Sequence, residues 1–284
     1  MLPKRLSSVV QPDIELFLSD VDGSLITPDH QLTPQTRHAV SELVAHGIRF
    51  TIVSGRPPKG LRGIAAELSL TLPLAAFNGA MIIRPDLSVI EEHLLDATLS
   101  ASILDIVQST GAEVWLYRAA DWFIREGCSA HVLKESDTVG FAPIVVTEFD
   151  RRRSAVKIVA VSDDADVLAR CSTALSSSLE GRISVHLSQP YYLDITHIKA
   201  NKGEVVHTLS KLLSIPCDRF ATLGDMHNDV LMFQVSGISI AMGNAVPDVK
   251  KAAQFITRRN DDEGFAYAVE SIILSEAANV SHAS

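Results

Sequence analysis

From Asp13 the chain alternates short apolar runs with longer amphipathic stretches. Ile14 to Leu18 reads as a strand covered on both faces, because such strands are near-continuous in hydrophobes. Thr33-Pro34 then offers a capping hydroxyl followed by proline at a first helical position. Val40, Leu43 and Val44 recur at helical spacing, and Gly47 stops the helix. Ile48 to Val53, rich in β-branched residues, predicts a second strand ending at Ser54-Gly55-Arg56. A helical stretch, Leu61 to Leu68, precedes a third strand, Leu74 to Phe77, and then Asn78-Gly79. Strands separated by helices of this length imply right-handed βαβ units and a parallel sheet.

Between about Ile82 and Gln189 the pattern changes. Glu113 to Tyr117 and Trp122 to Arg125 predict an antiparallel pair, and Ala97 to Ser109 and Asp164 to Ser177 predict helices. From Tyr191 the core pattern resumes, with Tyr192 to Ile195 read as a core strand and Gly203 to Leu213 as a helix. Strands Arg219 to Leu223, Ile238 to Met242 and Phe255 to Thr257 follow, the first ending at Gly224-Asp225. The expected fold class is α/β, a Rossmann-like parallel-sheet core with an inserted α+β unit. Residues 1–82 and 190–284 would form the core and 83–189 the insert.

Composition narrows the function classes. At 284 residues, 46% hydrophobic and 21% charged, the chain describes a soluble globular protein with ample core. A net charge of −9, with no basic block beyond Arg151-Arg152-Arg153, argues against nucleic acid as a partner. Those arginines read as a solvated loop. Cys128, Cys171 and Cys217 are odd in number and lack a CxxC pair, which fits unpaired thiols in a reducing compartment. No apolar run reaches the roughly 18 residues that span a bilayer. Met1 to Pro12 lacks the apolar stretch of a secretory signal, so the expectation is a cytoplasmic protein with no membrane partner. The small, polar tail from Ser275 is expected to fray, and no oligomeric state is legible.

Candidate chemistry gathers at the carboxyl ends of the core strands, where open α/β sheets bind ligands. The first strand runs directly into Asp20 and Asp22, with Gly23 following. Ser54 could donate its hydroxyl to a phosphoryl oxygen, and Gly55 lets backbone amides approach. Lys202 opens a helix, where its ammonium and the helix end both favour an anion. Asp225 and Asp229 straddle the turn after another strand. Four carboxylates and a phosphomonoester of about −1.5 to −2 exceed what Lys202 can balance, so phosphate binding requires a divalent cation. Mg²⁺ fits, since it takes oxygen ligands and few carboxylates. Asp20, at the strand tip, is the candidate nucleophile; Asp22 could protonate the leaving alkoxide and later deprotonate water.

The ordered set Asp20-Val21-Asp22-Gly23-Ser24-Leu25, Ser54-Gly55-Arg56, Asn201-Lys202-Gly203 and Gly224-Asp225-Met226-His227-Asn228-Asp229 resembles the haloacid dehalogenase-like phosphatases, Cof-type branch. Ser24 stands where threonine is more usual, and Phe77-Asn78-Gly79-Ala80 matches a further stretch of that branch. The resemblance covers most of residues 14 to 270. It implies Asp20 as nucleophile and metal ligand, and Asp22 as acid/base whose backbone carbonyl also ligates. It implies Ser54 and Lys202 on the phosphoryl group and Asp225 on Mg²⁺, with Asn228 and Asp229 completing or supporting that shell. It also implies an α/β cap inserted between the second and third motifs.

The expected activity is Mg²⁺-dependent hydrolysis of a small phosphorylated metabolite, such as a sugar phosphate or phosphorylated cofactor. Two alternatives are a phosphotransferase or phosphomutase, and a non-catalytic metabolite-binding regulator. Arg56 and Asn78 are the expected substrate contacts at the core edge. Trp115, Tyr117, Trp122 and His131 could line the cavity, although aromatic residues on a small sheet are more often core. His227 reads as a neighbour of the site, since Mg²⁺ prefers oxygen.

Overall fold

The computed structural model describes residues 13–127 and 129–275. Met1 to Pro12, Cys128 and residues 276–284 of the tail, all read above from sequence, lie outside the described residues. The first half carries strands β1 (Leu16–Asp20), β2 (Arg49–Val53), β3 (Leu74–Ala76), β4 (Met81–Ile83), β5 (Val89–Glu92), β6 (Glu113–Arg118) and β7 (Asp121–Arg125). The second carries β8 (Ile144–Val146), β9 (Lys157–Val161), β10 (Ile183–Gln189), β11 (Tyr192–His197), β12 (Phe220–Gly224), β13 (Ile238–Ala241) and β14 (Phe255–Ile256). They form an eight-stranded sheet, β14-β13-β12-β1-β2-β3-β4-β5, and a six-stranded sheet, β10-β11-β9-β6-β7-β8. In the larger sheet β14 through β3 run parallel, β4 runs antiparallel to β3, and β5 runs antiparallel to β4.

The continuous apolar run at β1 has a direct cause. Phe17 points into one core with Val40 and Leu43 of the helix Pro34–Ala45. Leu16 and Leu18 point into another, with Val205, Val206 and Leu209 of the helix Lys202–Leu213. Helices therefore cover both faces, as the βαβ pattern predicts. Thr33 caps the first of them, its hydroxyl accepting from the Thr36 amide at 3.0 Å, with Pro34 opening the helix. Phe17 and Phe50 each meet Phe265 edge-on, at centroid distances of 5.6 and 5.7 Å, tying the helix Gly264–Ala268 to the sheet.

The six-stranded sheet is two-sided by the period of a strand. Val114 and Leu116 of β6 pack with Leu99 and Ile103 of the helix Ala97–Ser109 and Leu168 of the helix Ala165–Ser178. Trp115 and Tyr117 alternate to the other face, which packs toward the larger sheet with Phe77 and Val139. The predicted hairpin is present, with Arg118 opposite Asp121. Arg151 to Arg153 are exposed, as expected of a solvated loop.

Two sequence expectations need correction. Tyr192 to Ile195 is not a strand of the parallel core; β11 lies between β10 and β9, antiparallel to both. Only Pro190-Tyr191 separates β10 from β11, and so short a link makes a hairpin, whereas a parallel neighbour needs a long crossover. The borders at 83 and 190 likewise miss the points where the chain changes sheets. Strand β5, assigned to the insert, completes the larger sheet, so the crossings fall after Glu92 and after His197.

Candidate active site

Strand β1 sits between β2 and β12, so the chain departs from it in opposite directions and leaves a crevice at its carboxyl end. Register then places the motifs side by side. Asp20 lies opposite Val53, which brings it beside Ser54, and Ser19 lies opposite Leu223, one residue before Gly224-Asp225.

Lys202 is the hub. Its Nζ donates to Asp20 Oδ1 at 2.6 Å and to Asp229 Oδ1 at 2.5 Å, and all three side chains are buried. The helix it opens is capped by Asn201, whose Oδ1 accepts from the Glu204 amide at 2.9 Å. Asp229 Oδ2 meanwhile accepts from the Asp225 and Met226 amides at 2.9 and 2.8 Å, closing the loop after β12. Asp225 is held by the Ser24 hydroxyl at 3.4 Å and by Asn244 Nδ2 at 3.2 Å, and Asn244 also bonds the Gly23 carbonyl. Two glycines permit this crowding. A Cβ on Gly23, whose φ is +81°, would fall 2.3 Å from Asp225 Oδ2, and one on Gly224 would fall 2.3 Å from Asp229 Cγ.

Asp20, Asp225 and Asp229 each present an oxygen within 4.8 Å of the others. Burial, with Asp229 and Asp225 adding to it, pushes Asp20 well above the usual carboxylate range despite Lys202. Burial and then Asp229 push Asp225 up to about 7. Burial opposes the charge on Lys202, but Asp20 and Asp229 outweigh it and hold the ammonium above its ordinary value. One ammonium thus faces three buried carboxylates, and the surplus negative charge fits a divalent cation with oxygen ligands.

The Asp22 side chain departs from the expected four-carboxylate cluster. Arg56 takes both its oxygens, Nε to Oδ2 at 2.9 Å and Nη2 to Oδ1 at 2.6 Å, with His30 Nδ1 3.7 Å away. Arg56 therefore balances the Asp22 charge, and Lys202 is left with the other three carboxylates. Ser54 is buried, its Oγ accepting the Arg56 amide at 3.0 Å and lying 3.5 Å from Asp22. Asn78 follows β3 in a left-handed conformation, φ 56°, that asparagine tolerates. Its Oδ1 accepts from Asn228 Nδ2 at 3.1 Å, and its Nδ2 meets His186 Nε2 of β10 at 3.3 Å, linking the two sheets.

These residues open into a cavity of about 560 Å³ between the sheets, with Asp20, Asp22, Gly55, Arg56, Asn78, Lys202, Asp225 and Asn228 on its floor. Its roof does not use Trp115, Tyr117 or Trp122, which are core, the commoner place expected of them. The lining comes from Lys134, Glu135, Lys157, Tyr191 and Tyr192. Sequence reading also missed Asn244. It follows β13, another core strand, so the strand-end rule that found Asp225 would have found it too.

The family model of the haloacid dehalogenase-like hydrolases matches residues 17–269, and the chain belongs to that family. YxeH of Bacillus subtilis (strain 168), provisionally named a phosphatase, is 26% identical over 268 residues, spanning 92% of this chain and 99% of that protein. The 5-amino-6-(5-phospho-D-ribitylamino)uracil phosphatase YwtE of the same organism is 25% identical over 284 residues, spanning 91% and 98%. A crystal structure of a haloacid dehalogenase-like hydrolase from Bacteroides thetaiotaomicron superposes with a TM-score of 0.83 at 27% identity, covering 92% of this chain and 100% of that one. Within the family, this chain is a phosphatase.

Proposed function

We propose that the protein is a Mg²⁺-dependent phosphomonoesterase acting on small phosphorylated metabolites, sugar phosphates or phosphorylated cofactors, through a phosphoaspartate on Asp20. The observation that carries this reading is the meeting of Asp20, Asp225 and Asp229 at Lys202, from the end of β1, the segment after β12 and a helix start. YwtE, named for a phosphorylated ribitylaminouracil, supports a small soluble substrate. Among the described residues no helix is long and apolar enough to cross a membrane, and the free thiols of Cys171 and Cys217 suit a cytoplasmic setting.

Asp20 and Asp225 would hold the metal, together with the Asp22 backbone carbonyl. Asp229, whose oxygens serve Lys202 and two amides, supports from behind. Bound there, Mg²⁺ would withdraw charge from the phosphoryl oxygens. Lys202 and Ser54 orient the phosphoryl group, and Asp20 attacks phosphorus in line with the ester oxygen. As the Asp20–phosphorus bond forms and the ester bond breaks, Asp22 gives its proton to the leaving oxygen. Asp22 then takes a proton from water, whose oxygen attacks phosphorus and frees Asp20 with release of phosphate. Both Asp22 oxygens are now on Arg56, so the ion pair must open and Asp22 must take up a proton from solvent before the first proton transfer. Arg56, Gly55, Asn78 and Asn228 border the leaving group.

Phosphate release from p-nitrophenyl phosphate and a metabolite panel, with Mg²⁺ or with chelator, tests the reading. Release should require Mg²⁺ and no alcohol acceptor, and Asp20→Asn should lower kcat by at least roughly a thousandfold without losing the fold. Turnover that survives chelation, or full activity in purified Asp20→Asn, would overturn it.

A further inference from the structure

Away from the catalytic cluster, the densest set of buried charges lies on the opposite wall of the same cavity. Lys157 of β9, 9% exposed, puts its Nζ 2.6 Å from Asp194 Oδ2 of β11, which is 1% exposed. The ammonium also lies 5.8 Å from the Tyr117 ring centroid. Glu135, on the helix His131–Val139, accepts the Tyr117 hydroxyl at 3.2 Å through Oε1. Glu135 and Lys157 both reach the cavity surface. Asp194 Oδ1 is buried with no hydrogen-bond partner among the described residues, an acceptor left unsatisfied beside the site.

Stability does not call for this arrangement. A buried ion pair roughly offsets its own desolvation, and apolar side chains of similar volume would serve a small core as well. What the arrangement does supply is position. Asp194 fixes an ammonium with further donors to give, and Tyr117 fixes a carboxylate with an oxygen to spare. Lys134 and Lys157 against Glu135 and Asp194 leave the wall with no net charge. A second anionic group would gain little there. Hydroxyls, which both donate and accept, match a fixed acceptor beside a fixed donor.

We propose that Glu135 and Lys157 are specificity-determining residues that bind neighbouring hydroxyls of an uncharged, polyhydroxylated leaving group, making the preferred substrate a sugar or sugar-alcohol monophosphate. This rests on the phosphatase reading for the position of the phosphoryl end. Asp194 and Tyr117 are positioning residues.

Binding separates the two readings, because it does not depend on turnover. Calorimetry on the Mg²⁺-loaded Asp20→Asn protein would compare phenyl phosphate, fructose 1,6-bisphosphate and a set of glucose 6-phosphate, ribose 5-phosphate and sorbitol 6-phosphate. At least one of that set should bind about tenfold or more tighter than phenyl phosphate and than the bisphosphate. Glu135→Gln, which keeps an acceptor for Tyr117, and the double variant Lys157→Met/Asp194→Asn, which leaves no buried charge alone, should each reduce that ratio several-fold. Equal affinity for all the esters, or a ratio unmoved in both variants, would overturn the proposal. Absence of wild-type turnover would instead defeat the phosphatase reading and leave the binding ratio to decide this one.

Discussion

The floor and the roof of the cavity both carry charged side chains, but only the floor carries an excess, since at the roof exposed Lys134 and buried Lys157 offset Glu135 and Asp194. At the floor three carboxylates share one ammonium, and Asp20 and Asp225 are pushed toward their protonated forms. At the roof Lys157 pairs with Asp194, and Glu135 takes a hydroxyl from Tyr117. An unbalanced cluster calls for a cation and can stabilise charge that moves during a reaction. A balanced one cannot do that work, but it offers fixed donors and acceptors that discriminate between leaving groups. On the functions proposed above, chemistry would fall to the loops of the larger sheet and selection to the smaller one.

Lys202→Met should break the contrast most severely. It leaves Asp20, Asp225 and Asp229 without an ammonium, so turnover should fall at least roughly a thousandfold and the metal-free protein should lose about 3–5 kcal/mol of stability. Steady-state kinetics and denaturant unfolding check this. Retained turnover, or a loss below about 1 kcal/mol, would mean the floor is not the tightly coupled cluster described.

A smaller effect concerns pH. Asp225 is raised from its ordinary 3.8 to about 7, so the folded protein keeps a proton that the unfolded chain releases. That contribution is fully present below 3.8 and is lost as pH rises toward and through about 7. Thermal unfolding of the chelated protein should therefore show stability drifting down across that window, and Mg²⁺ should flatten the drift by replacing the proton. A drift unaffected by Mg²⁺ would assign it to groups elsewhere.

The floor was legible in sequence for a reason the roof does not share. Asp20, Ser54 and Asp225 each follow an apolar strand at once, so topology alone brings them together. The Asp22–Arg56 pair was not legible, because which way a loop side chain turns depends on contacts across 34 positions of sequence. Glu135, Lys157 and Asp194 come from one helix and two strands, and each looks like an ordinary solvated charge in its local window. Only burial distinguishes them. Strand β11 resembles a core strand in sequence because it is covered on both faces, Leu193 and Ile195 on one and Tyr192 and Asp194 on the other. The missing helix before it was the informative signal.

On the proposed function, Asp20 and Asp225, far apart along the chain, hold one divalent cation beside Lys202. Calorimetric titration of Mg²⁺ into the metal-free protein near pH 6, with Asp225→Asn alongside, tests it most directly. The account predicts a single site that releases protons on binding, and an affinity at least about tenfold weaker in Asp225→Asn. Wild-type affinity in that variant, or no Mg²⁺ binding by the native protein, would contradict it.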